Sequence, residues 1–243
     1  MARPSLPPPY LKSISFYKID QNTDKNYPFS LPWVSNKTRF EFTSPITIIV
    51  GENGCGKSTF LEAIGSHAGY NELGGGKGYR PLDNTDAIEK NGNNLSEFMR
   101  FGWLPKVTTG WFFRAESFFS VARYLDQSAI SVGAAAPDYL SKSHGEGFLD
   151  FFSKKLINKG IFLLDEPESA LSPMKQLTFL KQLIEVRSRQ KAQVIVVTHS
   201  PIIMFLPDAQ LVRLTGTGFE NILPQETEHY KIYSQLCSNL LQL

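Results

Sequence analysis

The sequence predicts an α/β fold in which helices flank a mostly parallel central sheet, and three stretches support this prediction. The apolar, β-branched run 46–50 is followed by a glycine-rich loop at 51–58 and then by a helical stretch. The run 161–164 ends in paired carboxylates ahead of another helical stretch, and the run 193–198 is again apolar. Short runs of this composition are typical of buried strands. Strands that alternate with helices are typical of a parallel sheet.

The loop at 51–58 is the most specific motif of the chain. It reads Gly-Glu-Asn-Gly-Cys-Gly-Lys-Ser, the pattern G-x-x-x-x-G-K-S of the phosphate-binding P-loop. The glycines let backbone N–H groups converge on one anion, and the following helix adds the partial positive charge of its N-terminus. Lys57 is expected to reach the β- and γ-phosphates of ATP, and the Ser58 hydroxyl to ligate Mg²⁺. The residues predicted to bind the nucleotide here are Asn53, Gly54, Cys55, Gly56, Lys57, Ser58 and Thr59.

A second chemical centre is the carboxylate pair Asp165 and Glu166, at the end of the apolar run 161–164. In a chain with a P-loop, acids in this position form the Walker B pattern. Asp165 is predicted to hold Mg²⁺ through water, and Glu166 to orient or deprotonate the attacking water. The alternative is a surface Asp-Glu pair after a strand. Glu168 is left open between a supporting role and a solvated position.

His199 follows the third apolar run, 193–198. A single histidine is most often structural, but this one is expected at the carboxyl edge of the sheet, where ligands bind in open α/β folds. We therefore predict that His199 senses the γ-phosphate or orients the water. The predicted catalytic set is Lys57, Glu166 and His199.

The remaining elements are predicted from periodicity. Residues 10–17 alternate in part and predict an edge strand, and 38–42 predict a second strand that leads into the P-loop strand. Between them lie Tyr27, Phe29 and Trp33, any of which can stack on adenine or simply pack in the fold. Further predicted elements are a strand at 108–113, helices at 118–126, 147–159, 174–189 and 225–243, and a hairpin from 211–214 and 219–223. The helix at 174–189 is predicted to place Met174, Leu177, Leu180 and Ile184 on one face.

Composition limits the class of protein. The net charge is only +2, which gives no overall field typical of a nucleic-acid binder. The two cysteines, Cys55 and Cys237, are too few for a disulfide framework and suit a reducing compartment. No apolar run approaches the roughly 20 residues of a membrane span, and the N-terminus lacks an apolar signal core. We expect a soluble, cytoplasmic protein without membrane insertion.

These motifs together resemble the ATP-binding-cassette (ABC) class of P-loop ATPases. The resemblance includes Ser143-His144-Gly145-Glu146, which is similar to the signature segment of that class and precedes the Walker B strand. The chain as a whole resembles stand-alone bacterial AAA-family ATPases, relatives of chromosome-maintenance and recombination-repair ATPases. The stretches that carry this likeness are Tyr-Pro-Phe-Ser-Leu-Pro at 27–32, Phe-Arg-Ala-Glu-Ser-Phe at 113–118 and Glu-Thr-Glu-His-Tyr at 226–230.

The resemblance implies one ABC-type domain over 1–243, with an antiparallel N-terminal β part and a lid or helical insertion at about 70–158 that carries the signature segment. It also implies an ATP-dependent homodimer. In such dimers Ser143 and Gly145 would contact the γ-phosphate of the nucleotide bound to the opposite subunit. Glu116 takes the place of the usual glutamine and is predicted to ligate Mg²⁺ with Ser58 and Asp165. A pair between Glu116 and Arg114 is the alternative.

The expected function is therefore an ATP-hydrolysing switch that serves a DNA-linked or defence-type partner, either an effector protein or nucleic acid. Transporter subunits usually carry Leu-Ser-Gly-Gly-Gln in the signature, and here His144 and Glu146 replace two of those residues. This departure counts against the alternative of a transporter subunit. A third possibility is an interaction module that senses ATP with little turnover, against which the intact Asp165-Glu166 pair argues.

Overall fold

A mostly parallel sheet forms the centre of the molecule. The computed structural model describes residues 6–20, 23, 25–72, 74–77, 92–115, 118–131, 139 and 143–240. Across these residues, the main sheet contains, in spatial order, the strands β5 (Gly110–Arg114), β6 (Gly160–Asp165), β7 (Ala192–Val197), β3 (Ile46–Val50), β8 (Gln210–Thr215) and β9 (Gly218–Asn221). The first five run parallel, and β9 pairs antiparallel with β8 as the predicted closing hairpin. The predicted fold class is confirmed.

Helices cover the sheet and follow its strands along the chain. They are α1 (Lys57–Ala68), α2 (Gly92–Ser96), α3 (Phe118–Ser131), α4 (His144–Lys155), α5 (Pro173–Arg189), α6 (Pro201–Met204) and α7 (Glu228–Leu240). Two short 3₁₀ turns at 167–170 and 224–226 follow β6 and β9. Because β3, β6 and β7 are buried along their whole length, both faces of the sheet are covered, as is usual for parallel strands.

Neighbouring residues of the central strands point into two separate cores. In β3, Ile48 packs in the core that contains Phe148 of α4 and Phe179 of α5. The next residue, Ile49, packs in the core that contains Phe60 of α1. This alternation is the two-residue period of a strand, and it places α1 on the face opposite to α4 and α5.

A smaller antiparallel sheet confirms the predicted antiparallel N-terminal part and corrects one of the strand predictions. In the described part of the chain its order is β2 (Arg39–Glu41), β1 (Leu11–Phe16) and β4 (Met99–Trp103). The first strand is therefore central, not an edge, and the strand within 38–42 pairs with β1 and lies outside the main sheet. Alternation shows that one face is buried but not how many neighbours pair with the strand. β4 was missed because its sequence, Met-Arg-Phe-Gly-Trp, gives only a weak strand pattern.

The buried amide of Gln193 joins the two sheets. Its Oε1 accepts hydrogen bonds of 2.8 Å from the backbone N–H groups of Tyr10 and Leu11, and its Nε2 donates to the Leu11 carbonyl at 3.0 Å. Gln193 lies on β7, so this one side chain fixes the start of β1 to the central sheet. All its bonds are satisfied by backbone groups, which is what a buried amide requires.

Helix α5 packs only part of the predicted row against the core. The predicted row was the apolar set Met174, Leu177, Leu180 and Ile184. Leu180 and Ile184 of this row are half-buried against the core, beside the fully buried residues Phe179, Leu183 and Val186. Met174 is 72% exposed and Leu177 is 44% exposed. Apolar residues fill two adjacent rows of this helix, and only packing against the sheet selects between them.

The predicted C-terminal helix begins at Glu228, three residues later than expected, and is exposed from Lys231 to Ser238. Within the described ranges, no helix combines the length and the apolar character needed to span a bilayer.

Candidate nucleotide-binding site

The P-loop joins the carboxyl end of β3 to α1, whose first residue is Lys57. Gly54 and Gly56 have φ angles of 75° and 90°, in the left-handed region that favours glycine. At Gly56 a side chain would also meet the Leu31 Cδ1 atom at 2.7 Å. Lys57 Nζ donates hydrogen bonds of 2.9 and 2.8 Å to the carbonyls of Gly51 and Glu52. The loop therefore holds the Lys57 ammonium against its own backbone, where a phosphate-binding loop needs positive charge.

The two predicted Mg²⁺ ligands of the Walker motifs are in contact. Ser58 Oγ donates to Asp165 Oδ1 at 3.0 Å, and Asp165 is only 7% exposed. A hydroxyl and a carboxylate are the hard oxygen ligands that Mg²⁺ prefers, and Mg²⁺ commonly takes few protein ligands because nucleotide phosphates complete its shell. Accordingly, the described residues hold no group of three or more His, Cys, Asp or Glu side chains arranged for a metal. The donor set fits a nucleotide-bound Mg²⁺.

Arg114 neutralises the carboxylates around this pair. Its guanidinium lies 2.6 Å from Glu62 Oε1 and 3.5 Å from Asp165 Oδ2. Strand register explains the second contact, because β5 and β6 place Arg114 directly opposite Asp165. Burial raises the pKa of Asp165 to about 6, which the Arg114 charge and the Ser58 hydrogen bond oppose. Glu116, the third predicted metal ligand, lies outside the described residues.

Glu166 and His199 meet beside the loop. Glu166 adopts a left-handed backbone conformation with φ 49° and ψ 53°, an arrangement that non-glycine residues rarely adopt away from functional sites. Its Oε1 lies 3.8 Å from His199 Nε2. This nitrogen is buried and has no hydrogen-bond partner among the described residues. Burial and the Lys57 charge lower the pKa of His199 despite the opposing effect of Glu166, so the imidazole is neutral near pH 7.

Glu168, which the sequence left open, supports the histidine. Its carboxylate accepts hydrogen bonds from Thr198 Oγ1 at 2.7 Å and from the backbone N–H of His199 at 2.5 Å. Burial raises the pKa of this carboxyl, and the two hydrogen bonds favour its ionised form. The position of Glu168, two residues after Glu166, could have indicated a supporting role in the site. It could not have indicated that its partners, Thr198 and His199, follow β7.

Two stretches of the chain match family models that contain these features. Residues 28–103 match a family described as "AAA domain", and residues 147–204 match one described as "AAA domain, putative AbiEii toxin, Type IV TA system". The first match includes the P-loop, and the second includes Asp165, Glu166 and His199. The chain is an ABC-ATPase-like P-loop NTPase.

Individual proteins are similar to this NTPase over most of its length. The "Probable ATP-dependent transporter ycf16" of Antithamnion sp. is 28% identical over 176 residues, which cover 63% of this chain and 70% of that protein. The protein of the same description from Trieres chinensis is 27% identical over 180 residues, with the same coverage. Among solved structures, the SMC head domain from Thermotoga maritima is 16% identical with a TM-score of 0.49, covering 88% of this chain and 99% of that one.

The signature-like segment of the NTPase lies next to the start of α5. Ser143 immediately precedes α4, and its hydroxyl donates to Glu146 Oε2 at 2.6 Å and accepts from Lys175 Nζ at 2.8 Å. Gly145 is buried, and a side chain there would lie 3.0 Å from the carbonyl of Ala170 in the turn after Walker B. The hydroxyl of Ser143 thus contacts Glu146 and Lys175 within the described chain. Sequence reasoning did not single out Lys175.

A cavity of about 540 Å³ opens beside the P-loop. Its walls are P-loop residues between 51 and 55, His199, the end of β8 and the residues Thr227 to His229 at the start of α7. The ring of His229 lies 5.6 Å from that of His199, centroid to centroid. No role was predicted for His229, because no local pattern shows that the C-terminal segment returns to the P-loop.

Of the three aromatic residues upstream of the P-loop, one remains available to a nucleotide. Trp33 is buried and donates from Nε1 to the Cys55 carbonyl at 2.7 Å, so it packs beneath the loop. Phe29 packs edge-on against Phe98 at 5.0 Å. Tyr27 is 44% exposed, and its hydroxyl forms a hydrogen bond with Thr59 Oγ1, at the start of α1.

Proposed function

We propose that this chain is an ATP-hydrolysing molecular switch that dimerises around ATP and Mg²⁺. The observation that carries the proposal is the convergence of five side chains at one edge of the sheet: Lys57, Ser58, Asp165, Glu166 and His199. They follow or end β3, β6 and β7, which are neighbours in the order β6, β7, β3. Carboxyl ends of parallel strands are where open α/β folds bind ligands.

ATP would bind with its phosphates in the P-loop, contacted by backbone N–H groups and by Lys57. Lys57 Nζ donates to two carbonyls, those of Gly51 and Glu52, and its third N–H would donate to a phosphate oxygen. Ser58 and Asp165 would hold Mg²⁺, which when bound supplies positive charge to the phosphates. Because Tyr27 is exposed above Thr59, it is the aromatic residue placed to stack on adenine.

Hydrolysis would depend on Glu166 as general base. A water oxygen attacks the γ-phosphorus, the bond from that phosphorus to the β–γ bridging oxygen breaks, and the water proton passes to the Glu166 carboxylate. The products are ADP and phosphate. His199 Nε2, unpartnered within the described chain and 3.8 Å from Glu166, is placed to contact the γ-phosphate or the water.

The second half of the site would come from another copy of the chain, through Ser143 and Gly145. The γ-phosphate would then join the two subunits, and its release would let them separate, so that ATP shifts the population between monomer and dimer. In this proposal the single ABC-type domain spans 1–243, with 70–158 as the insertion that presents Ser143. It also places the protein in the cytoplasm.

The test is Glu166→Gln, with Glu185→Gln on the exposed surface of α5 as matched control. Loss of a general base slows turnover by about 10²- to 10⁴-fold, while ATP binding should be unchanged. We expect the solution mass of Glu166→Gln, measured by light scattering, to double with ATP·Mg²⁺ but not with ADP. Turnover equal to the parent contradicts the base assignment, and a mass unaffected by ATP contradicts the shared site. A parent that binds ATP but releases no phosphate in a single turnover is a sensing module.

A transporter subunit is the second candidate, favoured by the similarity to the two proteins described as ATP-dependent transporters. The replaced signature residues His144 and Glu146 argue against it. Expression of a tagged chain in its own host, followed by detergent extraction, distinguishes the two. Stable recovery with an integral membrane protein supports the transporter.

For the switch, we propose a DNA-linked or defence-type partner. The description of the second matching family, which names a toxin of a type IV toxin–antitoxin system, supports the defence-type partner. The test is ATP turnover with and without double-stranded DNA. Stimulation that is abolished by raised salt supports direct DNA contact, whereas unchanged turnover leaves a protein effector as the proposed partner.

A further inference from the structure

Lys175 bridges two helices at the signature-like segment. It is the third residue of α5, and its Nζ donates a hydrogen bond of 2.8 Å to Ser143 Oγ, 32 residues earlier in the chain. The same ammonium lies 3.9 Å from Glu146 Oε1. The side chain of Lys175 remains 30% exposed.

Gly145 is shaped to fit this lysine. A Cβ atom at position 145 would lie 2.6 Å from Lys175 Cδ and 3.3 Å from its Nζ. It would also lie 3.0 Å from the carbonyl of Ala170, a backbone atom that cannot move aside easily. The stem of Lys175 therefore lies across the glycine, and any larger residue at 145 displaces it. Glycine is therefore required at position 145 by the packing of Lys175 and Ala170, independently of the likeness to a family motif.

Lys175 also offsets a negative charge beside Ser143. Glu146 accepts hydrogen bonds from both the backbone N–H of Ser143, at 3.1 Å, and its hydroxyl, at 2.6 Å. Its negative charge thus lies beside the serine, where it would repel a phosphate. Lys175 compensates that charge. An ammonium has three N–H donors, and only one of those on Lys175 goes to Ser143, which leaves donors for a further anionic ligand.

We propose that Lys175 binds the γ-phosphate of ATP in trans, together with Ser143, when two copies of the chain assemble. This inference rests on the proposed function, because the ATP belongs to the P-loop of the other copy. A lysine ammonium is an effective point-charge partner for phosphate. Charge held in place before the reaction also stabilises the γ-phosphoryl group as it is transferred. Lys175 is thus a phosphate-binding residue that makes ATP-dependent dimerisation possible despite Glu146.

The first test is dimerisation in the Glu166→Gln background. Lys175→Met is expected to weaken the ATP-dependent dimer by at least about tenfold, the effect of losing a hydrogen bond to a charged group. ATP affinity of the monomer, measured below the dimerisation concentration, should not change, because the cis P-loop is intact. Lys175→Arg keeps the charge and should restore most of the dimer. Lys181→Met, an exposed lysine on the same helix, is the matched control and should behave as Glu166→Gln alone.

The second test asks in which subunit Lys175 acts. With Glu166 intact, Lys57→Ala should be inactive alone, and Lys175→Met should lose most of its turnover at protein concentrations where its weakened dimer does not form. When they are mixed, the heterodimer has one complete site, with the P-loop of the Lys175→Met subunit and the Lys175 of the other. Recovered ATP turnover on mixing is therefore expected. Mixing Lys57→Ala with Glu166→Gln is the negative control, because both changes affect the same half of the site and no complete site can form.

The outcomes separate the two proposals. If Glu166→Gln does not gain mass with ATP, the shared-site switch is wrong and the role of Lys175 is wrong with it. If Glu166→Gln dimerises and the added Lys175→Met dimerises equally well, only the role of Lys175 is overturned. Absence of complementation on mixing also overturns it, because Lys175 would then act within its own subunit. If Lys175→Met loses its native circular dichroism spectrum, ATP-dependent dimerisation is compared between Lys175→Gln and Lys175→Arg in its place.

Discussion

The carboxylate of Glu168 accepts a hydrogen bond of 2.5 Å from the backbone N–H of His199. It accepts another of 2.7 Å from the hydroxyl of Thr198. Glu168 lies in the turn after β6, whereas Thr198 and His199 follow β7. One side chain therefore fixes the distance between the proposed base, Glu166, and the histidine beside it. The relationship links two strand ends that are separate in sequence.

Replacing Glu168 with Ala should lower kcat for ATP about 10- to 100-fold, because small displacements of positioned groups have effects of this size. The Kd for ATP should change little, since the P-loop is not touched. Steady-state kinetics and equilibrium nucleotide binding measure the two quantities. Glu185→Ala, an exposed position on α5, is the control. An unchanged kcat would show that the backbone of His199 holds its position without Glu168.

Much of the fold and the core of the candidate site follow from local sequence. The runs that form β3, β6 and β7 are short, apolar and bounded by loops, so their burial could be predicted. The positions of the residues after those strands follow from the strand ends alone. The spacing of the P-loop likewise needs no tertiary information. This is why the Walker residues converge as expected, although their chemical roles stay predictions.

The parts that were missed depend on contacts between distant segments. The pairing of β1 on both sides involves β4, which lies more than eighty residues later. The contact of Lys175 with Ser143 and the approach of His229 to His199 likewise join separate parts of the chain. Neither of these two contacts is reflected in a hydrophobic periodicity of the sequence around its residues. Tertiary packing decides these features, and local propensity contains no information about them.

Tyr27→Ala should weaken ATP binding about 5- to 150-fold if the ring stacks on adenine, since one aromatic–base stack contributes about 1–3 kcal/mol. Tyr27 is exposed, and its hydroxyl contacts Thr59 in the first turn of α1. Affinity for inorganic triphosphate, which has no base, should not change, and Tyr27→Phe should retain most ATP affinity. Titration calorimetry with both ligands makes the comparison, with Tyr233→Ala on exposed α7 as control. Equal loss of affinity for both ligands would contradict stacking.

His67 should make folding stability depend on pH. Its ring stacks on Phe101 at 3.8 Å, and Trp103 Nε1 points to its Nε2 at 3.3 Å, an acceptor that protonation would remove. Burial, and then the charge of Lys106, lower the pKa of His67 below its ordinary value of 6.5. The unfolded chain then binds the proton more readily, so the contribution is fully present above pH 6.5 and is lost as pH falls through the lowered pKa.

His67→Phe keeps the stack but cannot be protonated. Its free energy of unfolding should therefore vary less than that of the parent between pH 7 and pH 5. Urea unfolding at several pH values measures this difference, and the other histidines contribute equally to both proteins. Lys106→Ala removes one of the two causes and should give an intermediate dependence. Parallel curves for the parent and His67→Phe would show that His67 does not titrate differently in the folded protein.

The two thiols should react at different rates, and only the slower one should affect ATP. Cys237 is exposed on α7, whereas Cys55 is half-buried within the P-loop. Burial raises the pKa of the Cys55 thiol despite the nearby Lys57 charge, and a smaller thiolate fraction slows alkylation. Cys55 and Gly51 both line the cavity beside the P-loop, so a group added to the Cys55 sulfur would occupy space next to the loop. Alkylation of Cys55 should therefore crowd the phosphate cradle and weaken ATP binding.

Iodoacetamide labelling followed by mass spectrometry gives the two rates, and bound ATP should slow labelling of Cys55 alone. In Cys237→Ser, complete alkylation reports only on Cys55, and nucleotide affinity should fall. In Cys55→Ser, alkylation of Cys237 should leave the affinity at its value before labelling, because α7 is exposed at that residue. Unaltered affinity after full modification of Cys55 would mean that the phosphate cradle accommodates the added group, because the thiol then points away from the path of the phosphates.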